Sequence, residues 1–152
     1  MSETDYSDGL GKDFCFYLRD NQAYYINAWS KMAYRHSGYS WNWAAFWFGW
    51  AWLGYRKNYI PALIILGVEL LLYLKFSYAA AIIVVSFIHF ILGLFANRLY
   101  CLKCISVISR PELLNLQDDA RHLILSQKGG TSWLPVIVFS ALWIYITIQV
   151  GV

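Results

Sequence analysis

Apolar and polar positions recur at helical spacing from Asp13 to His36, and beyond Ser37 and Gly38 the chain turns into long apolar runs separated by short polar turns. In the first stretch Phe14, Tyr17 and Leu18 share a face, as do Tyr25, Ile26, Trp29, Met32 and Ala33. That spacing predicts two short amphipathic helices, with Asp20 or Asn21 as a cap between them. Residues 1–12 carry Glu3, Asp5, Asp8 and Gly9 without an apolar period, which predicts a mobile tail.

The apolar runs predict membrane spans. Asn58 can cap a helix and Pro61 falls in its first turn, where a missing N–H costs nothing. The run over 59–76 then gives about 27 Å of helix, close to a hydrocarbon core. Lys75, Ser77 and Tyr78 make a polar turn, and a second span is expected over 78–97. Nothing breaks that helix before Pro111, so it can project past the bilayer through Cys101 and Cys104. Ser109 with Glu112 reads as a capping box opening a surface helix over about 110–128, with Leu113, Leu116, Ala120, Leu123 and Ile124 on its apolar face. Gly129 and Gly130 stop it. A third span, over 133–152, supplies about 30 Å.

Between the amphipathic part and the first span lies the densest aromatic stretch. Eight of the fifteen residues from Trp41 to Tyr55 are aromatic, and Arg56 and Lys57 follow directly. Trp and Tyr concentrate at headgroup depth, where an apolar ring meets lipid and its polar tip meets water. On helical geometry Trp43, Phe46, Trp47, Trp50 and Leu53 share a face, while Ala45 and Gly49 form a small-residue notch on another. The segment is short for a span and has Lys31 and Arg35 before it and Arg56 after it, so an interfacial or half-inserted helix is expected on the cytoplasmic side. The expected architecture is an all-α integral membrane protein with three transmembrane helices, an aromatic interfacial helix and cytoplasmic amphipathic helices. Its domains are a tail (1–12), amphipathic and interfacial helices (13–57) and a membrane domain (58–152).

Composition agrees with that pattern and narrows the chemistry. Of the residues, 59% are hydrophobic, 19% aromatic and only 14% charged, outside the range of ordinary soluble domains. The mean hydropathy of +0.44 fits spans alternating with polar segments. A net charge of +3 with no basic run excludes nucleic acid as an expected partner. The acidic start does not resemble a cleavable signal peptide. Of the twelve Lys and Arg residues, eleven lie before Asn58 or between Arg98 and Lys128. The positive-inside rule therefore predicts a cytoplasmic N-terminus and a periplasmic C-terminus. Cys15, Cys101 and Cys104 then lie on the reducing side.

Candidate chemistry is sparse. Cys101 and Cys104 form a lone C-x-x-C near a helix C-terminus, the wrong end to lower a thiol pKa, and His89 and His122 are spaced wrongly for zinc. No nucleophile, phosphate-loop or dinucleotide motif occurs, so neither enzyme, metal nor cofactor is expected. Glu69 stands out: it falls mid-span, where an acid costs about 2.5–3.5 kcal/mol to insert. Folding the hairpin about Ser77 brings it within about 6 Å along the axis of His89. Ser86, His89, Gly93, Asn97 and Tyr100 then continue a polar stripe at three- and four-residue steps. The plainer reading of Glu69 and His89 is a hydrogen-bonded pair fixing the hairpin; the sharper one is a proton or ion relay.

The pattern N-W-x-A-F-x-F-G-x-x-W-x-x-Y-R-K-x-Y is matched by Asn42, Trp43, Ala45, Phe46, Phe48, Gly49, Trp52, Tyr55, Arg56, Lys57 and Tyr59. An A-N-R-x-Y element (Ala96, Asn97, Arg98, Tyr100) and an upstream Tyr24, Tyr25, Trp29 helix accompany it. On these elements the chain resembles a bacterial family of small inner-membrane proteins, the domain of unknown function 2628 family, over roughly residues 22–100. Trp50 stands where the family usually has a small residue or proline. The resemblance implies bacterial origin and an inner-membrane location, and carries no activity. The expected function is a non-enzymatic scaffold or accessory protein binding membrane lipid and a protein partner or a second copy of itself. The alternative is a small oligomeric transporter or channel subunit using Glu69 and His89.

Overall fold

A computed structural model describes the backbone of residues 3–150 and the side chains of residues 11–149. Among the described residues the fold is all-α, without strands. Its helices are α1 (Glu3–Leu18), α2 (Gln22–Tyr34), α3 (Trp43–Tyr55), α4 (Tyr59–Lys75), α5 (Tyr78–Ile108), α6 (Pro111–Leu114), α7 (Asp118–Lys128) and α8 (Leu134–Val150). Of these, α5 alone among the described residues is clearly long and apolar enough to cross a membrane, and α8 is apolar but shorter. The chain sorts into two compact units, one built from residues up to Tyr39 with Asn97–Gly130, the other from Ser40–Ala96 with the segment from Thr131 onward. Continuous α5 contributes its first part to the second unit and its last part to the first.

In the first unit α1 packs on α7, and α2 joins the end of α5. Its buried set includes Tyr17, Leu18, Tyr25, Tyr100, Cys104, Ile108, Leu113 and Leu125. The stop after α7 is also a docking point, because the Gly130 N–H donates to the Tyr17 carbonyl at 2.7 Å. A Cβ on Gly129 would overlap that carbonyl, so the approach needs glycine there.

Several expectations for this unit are corrected. The tail expected over 1–12 is helical from Glu3, as part of α1; Met1 and Ser2 lie outside the described residues. The surface helix expected over 110–128 is two helices, α6 and α7, parted by an extended Gln117. The Ser109–Glu112 capping box does not form: the Ser109 N–H still closes α5 on Ile105 O, and Arg110 is the N-cap of α6 without a side-chain bond. Asn21 is indeed the N-cap of α2, but in left-handed backbone and without a side-chain bond. With the break in place, α7 turns Leu125, Arg121 and His122 inward and leaves Ala120 and Leu123 exposed. The reason is electrostatic. Asp13 is buried on α1, and a buried carboxylate needs cations. It pairs with Arg121 and lies 3.5 Å from His122 Nε2.

In the second unit α3 packs on α4 and α8. Asn58 stands at the N-cap of α4 without a side-chain bond, and Pro61 falls in its first turn as expected. Buried Arg56 lies over the Tyr55 ring, 5.7 Å from its centroid, rather than reaching outward. The single aromatic face expected on α3 is divided between exposed and buried positions. Trp43 and Trp47 are 64% and 67% exposed, whereas Ala45, Gly49, Trp52 and Leu53 are buried. A single helical period fails here because α3 is two helical segments meeting at a break.

Candidate functional site

The break is at Gly49, whose φ of 45° and ψ of −118° lie outside the helical region. This is the conformation of the first central residue of a type II′ turn, open in practice to glycine alone. The approach to it is fixed from both sides. Asn42, extended at φ −129°, accepts the Ala45 N–H at 3.0 Å and so caps the first segment. The Ser40 and Asn42 N–H groups donate to the Leu94 and Gly93 carbonyls of α5, at 3.1 and 2.8 Å. Gly93 permits that closeness, since a Cβ there would meet Phe46 Cβ at 3.0 Å. Past the break, Trp50 lies 6.4 Å from Phe139 on α8, and Tyr55 lies 4.9 Å from Trp133. The Tyr55 carbonyl accepts the Ser132 N–H at 2.9 Å.

Glu69 and His89 meet at this break. His89 Nε2 is 2.8 Å from Glu69 Oε1, and His89 Nδ1 is 2.9 Å from the Phe46 carbonyl. The histidine and glutamate side chains are 19% and 5% exposed. The imidazole lies over Gly49: a Cβ at that position would overlap Nε2 and stand 2.7 Å from Cε1. Gly49 is thus required twice, by its backbone angles and by the ring above it. The expected juxtaposition of Glu69 with His89 is present, and it includes a third element, α3, that helix spacing alone did not reveal.

The protons follow from chemistry. A carbonyl has none to give, so Nδ1 carries N–H and donates to Phe46. One further proton must lie between Nε2 and Oε1, as carboxylate with imidazolium or as carboxylic acid with neutral imidazole. The pair is electrically neutral either way. This arrangement can hold three helices together and can exchange one proton. Among the described residues no cluster of three or more His, Cys, Asp or Glu side chains could hold a metal. Cys101 is half-buried and Cys104 buried, both as free thiols in α5, and burial pushes the Cys101 thiol up.

The remaining sequence-predicted residues divide between the units. Ser86 is exposed, so the expected stripe does not run as one buried face. Asn97 and Tyr100 are buried in the first unit, where Asn97 Nδ2 donates to the Tyr24 hydroxyl at 3.2 Å and Trp29 Nε1 donates to the Asn97 carbonyl at 3.0 Å. Tyr100 packs 4.9 Å from Tyr25 and 6.2 Å from Trp29. The Tyr-Tyr-Trp helix and the A-N-R-x-Y element, 68 residues apart at the Trp29–Asn97 bond, are therefore one structural feature. Sequence reasoning missed the Phe46 carbonyl, the Asp13 pair with Arg121 and the docking role of Gly129. The glycines Gly49 and Gly129 were visible, but their partners lay far along the chain.

No match is found among curated proteins, and none among solved structures. The family model described as "Protein of unknown function (DUF2628)" matches residues 17–105, more than half of the chain. That stretch includes the Tyr24–Trp29 helix, all of α3, and both Glu69 and His89. The chain belongs to the DUF2628 family.

Proposed function

We propose that the chain is a multi-pass protein of a bacterial cytoplasmic membrane, embedded through its second unit, and that it acts without catalysis as a scaffold engaging a protein partner or lipid. The observation that carries this reading is the closure of the Glu69–His89 pair. Both imidazole nitrogens are spent on neighbours, so the pair's local work is to join α3, α4 and α5. Many outward side chains of the same unit are apolar, among them Ile64 and Leu71 on α4, Ile83 and Phe87 on α5, and Ile137 and Ile148 on α8. Such faces suit hydrocarbon.

On this reading α4, the first part of α5, and α8 are the three spans. The two shorter helices supply about 26 Å each at seventeen residues. α3 is re-entrant. Taking Asn97, Tyr59 and Leu134 as the cytoplasmic ends, the contacts of α3 give its depth. Asn42 meets Gly93 at about 6 Å, Phe46 and Gly49 meet His89 at about 12 Å, and Tyr55 is back at Trp133 near the surface. Irregular backbone is tolerated at that depth only where protein satisfies it, and His89 bonds the Phe46 carbonyl there. The break in α3 also favours the second reading, a transporter subunit, because discontinuous helices line many intramembrane sites.

The test is paired. The intact chain is released from detergent into a mass spectrometer, and separately reconstituted into vesicles loaded with a pH dye. The scaffold reading expects retained lipid, a retained protein or a second copy, and no proton flux. Flux that disappears in Glu69→Gln would replace it with the transporter reading.

A further inference from the structure

The second unit contains one acid, Glu69, and one histidine, His89, and the two are in contact. Its other charged residues are Arg56, Lys57 and Lys75, which stand at the ends of α3 and α4. α8 carries no charged residue. The remaining titratable side chains of the unit are tyrosines, and on α4 Tyr73 lies one turn beyond Glu69. The pair is therefore the only contact in this unit between a carboxyl group and an imidazole.

Three positions compete for its protons: Glu69 Oε1, His89 Nε2 and His89 Nδ1. The observed geometry needs two protons on them. One sits on Nδ1 and binds the Phe46 carbonyl; the other bridges Nε2 and Oε1. Removing one forces a choice. The last proton goes to Nε2, between two electronegative partners of which one is a full carboxylate. Nδ1 then faces the Phe46 carbonyl lone pair to lone pair, and the hydrogen bond between them breaks. That bond holds the end of the first segment of α3 nearest the break, while Ser40 and Asn42 tie its start to α5.

We propose that Glu69, His89 and the Phe46 carbonyl form a site for a single proton, and that its departure releases α3 at Gly49. The ligand is the proton itself, and the responding element is the broken helix. Gly49 lets the segments move relative to one another, because its angles are not tied to either helix. The inference rests on the geometry of the pair and holds whether or not the scaffold reading does.

The experiment uses the full chain in phosphatidylethanolamine–phosphatidylglycerol vesicles, labelled with ring-15N histidine and carbonyl-13C phenylalanine. Dipolar dephasing reports whether Nδ1 of His89 is next to a phenylalanine carbonyl, and the 15N shifts report which nitrogens carry protons. Comparison with His89→Gln separates this signal from those of His36 and His122. Near-neutral samples should show a protonated Nδ1 dephased by the carbonyl. Raising the pH toward 10 should abolish the dephasing as Nδ1 loses its proton. In Glu69→Gln the amide donates to Nε2 permanently, so Nδ1 keeps its proton and dephasing should persist to pH 10. Dephasing that is unchanged in the parent protein up to pH 10 would overturn the proposal. Loss at the same pH in parent and Glu69→Gln would also overturn it, since the proton would then belong to another group.

Discussion

Replacing Gly49 with alanine tests the candidate site at its narrowest point. The backbone there has φ 45° and ψ −118°, and the added Cβ would overlap His89 Nε2. Holding a non-glycine residue in such a region costs about 1–3 kcal/mol. Displacing the ring sacrifices its hydrogen bonds and leaves a buried carboxyl under-satisfied, a further loss of about 1–3 kcal/mol. The two together predict a destabilisation of about 2–6 kcal/mol, measured by denaturant unfolding in mild detergent. Gly67 is the control: it lies in α4 with open space around it, and alanine there should be neutral or stabilise by about 0.5–1 kcal/mol. Repeating Gly49→Ala on His89→Ala isolates the two parts. The ring overlap is gone, so the cost should fall to the backbone part alone, and the difference is the coupling. A Gly49→Ala protein within about 0.5 kcal/mol of the parent would refute the reasoning, because ordinary surface changes fall in that range.

Glu69→Gln should fold with near-parental stability, since an amide still donates to His89. Glu69→Leu should lose about 1–3 kcal/mol by leaving His89 Nε2 without its partner, a difference that side-by-side thermal melts would show. In the first unit, Gly129→Ala drives a methyl group into the Tyr17 carbonyl, which is backbone and cannot swing away; loss of protease resistance in α1 and α7 is the expected readout. Burial raises the Asp13 carboxyl above its ordinary range, although Arg121 and His122 oppose the shift and Asp118 adds to it. A raised folded-state value means this group favours folding most below its unfolded value, and gives that contribution up as pH rises through the folded one. Asp13→Asn should therefore flatten the pH slope of stability upward from about pH 4, read by melts at stepped pH.

What the sequence made legible was periodic or punctuated. α4, α5 and α8 follow from apolar runs, α4 also from Pro61, and the contact of Glu69 with His89 follows from counting residues about Ser77. What it hid depended on distant partners. The face of α7 that turns inward is set by buried Asp13, 108 residues away from Arg121. Break points were hidden for a related reason. Gly49 read as part of a notch, because nothing nearby says that an imidazole forty residues on will occupy the missing side chain's place. The capping box at Ser109 failed because α5 runs to Ile108 and α6 opens at Pro111, which makes Arg110 rather than Ser109 the N-cap.

The most direct measurement of the central claim is the side of the membrane on which α3 begins and ends. Cysteines placed at Ser40 and Asn58 are labelled by a membrane-impermeant maleimide in intact cells and in inverted vesicles. Peptide mapping separates them from Cys15, Cys101 and Cys104, and a reporter fused at Val152 marks the opposite face. A re-entrant α3 predicts that both new cysteines label only in inverted vesicles, with the Val152 reporter periplasmic. Labelling of Ser40→Cys from one face and Asn58→Cys from the other would mean that α3 crosses the membrane, and would contradict the account.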